Sequence, residues 1–175
     1  GTFVAEPRAL TVKVSLSGFT VDVQRAGGML SSVLLEARLI TEPGPDLVRA
    51  LRLQPGDEVA LVERLRLVNN FPIALHRAYL NHHYCPQILQ SGLPQVSLPT
   101  LLRERYGLKL VRAEEQVYAA LADQREMQLL GLSYPAPVLR TERTTFLDTG
   151  DVIEFALATN CGERYRLSVQ LESFE

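Results

Sequence analysis

The stretch Glu63-Arg64-Leu65-Arg66-Leu67-Val68-Asn69-Asn70-Phe71-Pro72-Ile73-Ala74-Leu75-His76 constrains this chain more than any other. It sets two arginines two residues apart in an apolar run, then a short polar turn, then a second run opening beside a proline. Residues i and i+2 of a strand share a face, so Arg64 and Arg66 project together beside Ala60 and Val62. Two guanidinium groups on an otherwise apolar face are costly to desolvate unless an anion meets them. The same spacing also describes two ordinary arginines on a solvated strand. A three-residue loop, 69–71, sets Arg64 opposite His76, whereas a two-residue Asn-Asn turn sends His76 to the other face.

A chain of 175 residues, 46% of them hydrophobic, is enough for one domain with a sizeable core. Its net charge of −2 argues against a broad basic surface for nucleic acid. No apolar run approaches the roughly 18 to 20 residues that cross a bilayer, and the first residues do not read as a signal peptide. The two cysteines, Cys85 and Cys161, form no CxxC pair, which fits a reduced, cytoplasmic setting. In His82-His83-Tyr84-Cys85, strand neighbours point to opposite faces and zinc spacing is missing, so no metal and no cofactor are expected. Cys161 is either a packed thiol or a redox sensor.

Along the chain the first thirty residues look loosely organised, with a short strand at 11–16. A strand at 32–40 precedes a short helix that Pro43-Gly44-Pro45 opens and Pro55-Gly56 ends. The hairpin spans 58–80. Ser97 is placed to cap a helix that runs through Tyr106 and stops at Gly107. A long strand at 108–120 follows, then a helix at 124–130 between Asp123 and Gly131. Strands at 138–146 and 152–160 flank the turn Asp148-Thr149-Gly150, and Cys161-Gly162 bends the chain into a last strand at 164–172. Long hairpin-joined strands with three short helices predict an α+β fold built on an antiparallel sheet. The expected boundary lies near Gly28, dividing an arm at 1–29 from a domain at 30–175.

The motifs at these joints are Glu63-Arg64-Leu65-Arg66 with Pro72-Ile73, Ser97-Leu98 with Tyr106-Gly107-Leu108, and Leu129-Leu130-Gly131-Leu132. Pro137-Val138-Leu139 and the Glu154 strand leading into Gly162-Glu163-Arg164-Tyr165 complete the series. In this order they resemble the effector-binding UTRA domain of GntR-type transcriptional regulators, HutC subfamily, over about 30–172. The resemblance implies the chorismate lyase-like fold. Residues 1–5 resemble the end of the second wing of the winged helix-turn-helix that precedes this domain in the family. That implies an interdomain arm and a DNA-binding half outside this sequence.

The resemblance also implies roles. Arg64 and Arg66 would hold the anionic group of a small effector. Ser97 would offer its hydroxyl and free helix N–H groups to the same anion. Glu154 would accept hydrogen bonds from effector hydroxyl or amino groups. Three departures from the family pattern stand out: His76 replaces an acidic residue, Asn160 and Cys161 replace an aromatic and an arginine, and Pro99 replaces a tyrosine. The expected effector site is therefore Arg64, Arg66, His76, Ser97, Glu154 and Asn160, with the anion-binding half kept and the other half altered. The implied function is sensing of a small anionic metabolite, a phosphate or carboxylate, which modulates operator DNA binding by the N-terminal half. The expected assembly is a homodimer, with no membrane partner. A chorismate lyase-like enzyme acting on a small carboxylic acid is the alternative. No activated nucleophile or second carboxylate for acid–base work accompanies the arginines, so the expectation is a non-enzyme.

Overall fold

The structure, a computed structural model, describes residues 9–13, 19–25, 27, 29–93 and 97–169. In chain order its elements are β1 (Leu10–Lys13), α1 (Phe19–Arg25), β2 (Leu30–Ile40), α2 (Pro45–Leu51), β3 (Val59–Val68) and β4 (Phe71–Asn81). A 3₁₀ turn (Ile88–Gln90), α3 (Leu98–Tyr106), β5 (Leu110–Leu121), α4 (Gln124–Leu130), β6 (Pro137–Leu147), β7 (Val152–Cys161) and β8 (Tyr165–Ser168) follow. The main sheet is antiparallel throughout, in the order β2-β3-β4-β7-β6-β5, with β3–β4 and β6–β7 joined as hairpins. β1 and β8 form a separate parallel pair. The expected α+β architecture holds.

The register sorts the side chains into rows. Arg66, Ala74, Asn160 and Leu139 lie side by side on one face, and Arg64, His76, Ala158 and Thr141 form the next row. Then come Val62, Ala78, Ala156 and Arg143, and finally Ala60, Leu80, Glu154 and Thr145. Two caps cover this face. Val12, Val23 and Tyr165 pack with Ile73 and Ala74 at one end, while Leu98, Leu101 and Leu102 of α3 pack with Ala60, Val62 and Leu80 at the other. The reverse face receives Leu51 and Leu53, which pack with Val59, Phe146 and Val152.

Helix ends follow local chemistry, with two departures from expectation. Asp123 and Glu126 form a reciprocal capping box on α4, and Gly107 and Gly131 close α3 and α4 in left-handed conformation. α2 stops at Leu51, ahead of Pro55-Gly56, because Arg52 adopts the left-handed conformation (φ 53°), its N–H closing on the Arg49 carbonyl and the Leu53 N–H on that of Val48. α1 was not expected. Seven residues cannot hold a helix by propensity alone, and burial of Val23 (0% exposed) against the sheet sustains it. Of the expected first and last strands, 14–16 and 170–172 lie outside the described residues, as does the wing-like segment 1–5. Among the described residues no helix is long and apolar enough to cross a membrane.

Candidate functional site

The β3–β4 hairpin aims the arginines. Its turn is the two-residue Asn69-Asn70, both at positive φ (51° and 68°), the geometry that matches strand twist. Val68 therefore pairs with Phe71 and Leu67 with Pro72, which by simple alternation would turn His76 away from Arg64. A bulge intervenes: the register shifts between Arg66 and Leu67, so Ile73 is the extra residue and Arg66 pairs with Ala74. Arg64 thus faces His76. Of the two alternatives the turn is the two-residue one, yet Arg64 and His76 pair as the three-residue loop would have placed them. Pro72 has no N–H to give the ladder, and prolines inside sheets are tolerated at bulges.

All six residues expected at the site line one cleft of about 100 Å³ between the two caps. Its floor is the short side chains Ala78, Ala156 and Ala158. Arg64 and Arg66 are 5% and 2% exposed. Arg64 donates from Nη1 to the Leu93 carbonyl (3.3 Å), and Arg66 donates from Nη2 to Thr20 Oγ1 (2.7 Å). Phe19 of α1 meets the His76 ring edge-on at 4.6 Å and lies 5.5 Å beneath the Arg66 guanidinium. Ser97 occupies the N-cap of α3, but its side chain makes no capping bond. Among the buried polar atoms without a partner among the described residues are Ser97 Oγ, Arg66 Nε and His76 Nε2 at the cleft. Asn160 donates to the Leu139 carbonyl (3.1 Å), and Glu154 accepts from Thr145 Oγ1 (3.1 Å).

Burial dominates the electrostatics. It pulls Arg64 down to about 10, against the pull of Glu154, and Arg66 down to about 9, with the Arg64 charge adding to the effect. Both remain cations at neutral pH. Burial and the charges of Arg66, Arg64 and Arg143 push His76 well below its usual value, so it is a neutral imidazole. Burial raises Glu154 even though Arg143, Thr145 and Arg64 oppose the shift. The arrangement can hold an anion between two guanidinium groups, with further donors at the start of α3.

The reverse face carries a larger cavity, about 300 Å³. Every arginine lining it is already paired with a carboxylate: Glu63 takes Arg77 and Arg125 at 2.7 and 2.6 Å, and Glu126 takes Arg140 at 2.7 Å. That cavity is a clamp tying α4 to the sheet. Among the described residues no group of three or more His, Cys, Asp or Glu side chains is arranged to hold a metal ion. Cys85 and Cys161 are both buried and unpaired, and burial pushes the Cys85 thiol up to about 12.

Several lining residues escaped the sequence reading. Arg143 and Glu115 face the cleft as an ion pair at 2.9 Å, with Thr141 one row away. Thr141, Arg143 and Thr145 carry the same i, i+2 spacing that singled out Arg64 and Arg66, so a signal existed. Phe19 and Thr20 carried none, because their place depends on α1. Tyr165 is 6% exposed and also borders the cleft.

Residues 25–166 match the family model described as the UTRA domain. The chain is 27% identical over 165 residues to the HTH-type transcriptional repressor NagR of Bacillus subtilis, covering 94% of this chain and 67% of that protein. It is 29% identical over 174 residues to the HTH-type transcriptional regulator Rv0792c of Mycobacterium tuberculosis, covering 98% and 63%. It therefore spans about two thirds of the length of these curated relatives. The fold is shared with the effector domain of PhnF from Mycobacterium smegmatis at a TM-score of 0.86 and 19% identity, over 93% of this chain and 99% of that one.

Proposed function

Because the chain belongs to the UTRA domain family, we propose that the cleft is the effector site of a GntR-type transcriptional regulator of the HutC subfamily, and that it takes a small phosphate or carboxylate. Membership places the chain among regulator domains rather than enzymes. One observation carries the choice of an anion. Arg66 is a cation 2% exposed, with Nε unpartnered and no carboxylate shifting its charge among the described residues. A buried guanidinium without an anion is a standing cost, and an incoming oxyanion relieves it.

In this reading Arg64 and Arg66 grip the anion, Ser97 donates its hydroxyl, and backbone N–H groups of the α3 first turn complete the shell. His76, Glu154 and Asn160 face the remainder of the effector. β1 and α1 fall within the segment read as an arm, and Thr20 holds Arg66, so capture of an anion by Arg66 competes with that contact. Such competition gives the effector differential affinity for two arrangements, without which it shifts nothing. A homodimer would present paired helix-turn-helix units to a two-fold operator in the cytoplasm, with this domain setting their separation.

Calorimetric titration of the chain with inorganic phosphate tests the site. Arg64→Ala should leave the fold intact and weaken binding by about 2 to 5 kcal/mol, the range for removing one partner of a buried charge pair. Equal phosphate affinity in wild type and variant overturns the assignment.

A further inference from the structure

The cleft is polarised across the sheet. Arg64 stands on β3 and Arg143 on β6, three strand spacings apart in the order β3-β4-β7-β6, which is roughly 14 Å between backbones. Ala78, Ala156 and Ala158 keep the floor between them low. The near wall holds Arg64 and Arg66, two cations, and exposed Lys13 on β1 adds a third charge from the covering side. The far wall differs. There Arg143 Nη2 already donates to Glu115 Oε2 at 2.9 Å, with the two side chains 19% and 16% exposed, and Glu154 lies between Arg64 and Arg143 in charge contact with both.

We propose that Glu115 and Arg143 are a specificity-determining pair, which selects acids bearing an amine or hydroxyl donor at the end remote from the anion and rejects diacids. This rests on the anion-site reading given above. A second acidic group reaching the far wall would meet Glu115 and Glu154 and would have to displace Glu115 from Arg143. Like charges brought together in a partly dehydrated site cost more than one competing guanidinium returns. An ammonium or hydroxyl meets the opposite situation. Each carboxylate has acceptor sites beyond the bond it already makes, and Arg143 holds Glu115 in place for it.

Two probes of similar length separate these cases: O-phosphoethanolamine carries an ammonium opposite its phosphate, and phosphoglycolate carries a carboxylate. In calorimetry the wild-type chain should bind phosphoethanolamine at least about tenfold more tightly than phosphoglycolate, a small fraction of what one close like-charge contact costs at the effective dielectric of a partly buried site. Glu115→Gln removes the repulsion and loosens Arg143, so the two affinities should converge. Wild-type protein that binds phosphate yet shows no preference for phosphoethanolamine overturns the proposal, and that result does not depend on any variant folding. A preference that survives Glu115→Gln intact removes Glu115 from it. Failure of inorganic phosphate to bind wild type is a different result, because it removes the anion site itself.

Discussion

Arg64 pairs directly with His76 across β3 and β4 even though only Asn69 and Asn70 turn the chain between them, because Ile73 bulges out of the ladder. The turn and the bulge act as one device. The turn fixes the twist, and the extra residue restores the parity that brings His76 to the arginine face.

The turn half of that device is open to direct test. Asn70 sits at φ 68°, where asparagine and glycine are tolerated and a β-branched side chain is strained. Asn70→Gly should leave stability within about 0.5 kcal/mol of wild type, while Asn70→Val should cost about 1 to 2 kcal/mol, the penalty for forcing a branched residue left-handed. Urea denaturation measures both. Equal midpoints for the two variants would mean the turn does not set the hairpin.

Arg66 makes the opposite kind of prediction, in which losing a residue helps the fold. Its guanidinium is 2% exposed, keeps Thr20 and the Phe19 ring as neighbours, and has no carboxylate to offset its charge among the described residues. Replacing a buried charge with an apolar side chain of similar length is often stabilising, by about 1 to 4 kcal/mol. Arg66→Met should therefore raise the thermal midpoint of the unliganded chain and abolish phosphate binding. A variant that is less stable and binds as before would make Arg66 a structural residue.

Much of the site was legible because strands and caps have fixed periods. Arg64 with Arg66 and the serine before α3 follow from local spacing and capping chemistry, whereas the glutamate of β7 came only from the family resemblance. His76 was placed correctly for an incomplete reason, since a bulge leaves no fixed mark in composition and Pro72 alone does not say where the extra residue goes. α1 was invisible because tertiary burial of Val23, rather than propensity, makes it a helix. The Arg143–Glu115 pair was missed for another reason. Its two halves lie on β6 and β5, 28 residues apart, and only the register of that hairpin reveals that they meet.

Acid should unfold the chain through its reverse face. Burial pushes Glu63 up, but hydrogen bonds from Arg125 and Arg77 outweigh it and hold the carboxyl below its usual 4.5. Glu126 is likewise held low, by Arg140, the Asp123 backbone and Thr159 working against burial. A depressed carboxyl contributes stability that is present above its unfolded value and is lost as pH falls through the folded one. The urea midpoint should thus be steady near neutral pH and fall below about pH 4.5. Glu63→Gln should cost about 1 to 3 kcal/mol at pH 7, the penalty for unpairing a buried charged hydrogen bond, and flatten the acid limb. An acid limb unchanged in this variant would assign the transition to other groups.

Glu154 titrates with the other sign, and the effect reads out in binding. Its folded value is raised by burial, so the stability it contributes is present at low pH and lost as pH rises through that value. Facing it are Arg64 and Arg143, both cations in this range, Thr145, the Glu115 that pairs with Arg143, and the Cys85 thiol held neutral near 12. His76, pushed well below its usual value, adds no charge near neutral pH. As pH falls, Glu154 takes up a proton before an ordinary glutamate would, and a repulsive charge leaves the cleft. Sulfate is a suitable probe because its own charge stays fixed over this range. Its affinity should rise by about a hundredfold or more as pH falls through the raised Glu154 value, as expected for removing one unit charge about 6 Å away at an effective dielectric near 20. Glu154→Gln should bind sulfate at neutral pH nearly as well as wild type does once Glu154 is protonated, with little further change on acidification. A full pH dependence persisting in Glu154→Gln would transfer the effect to Glu115 or to His76, and a flat profile in wild type would place Glu154 too far from the anion to sense it.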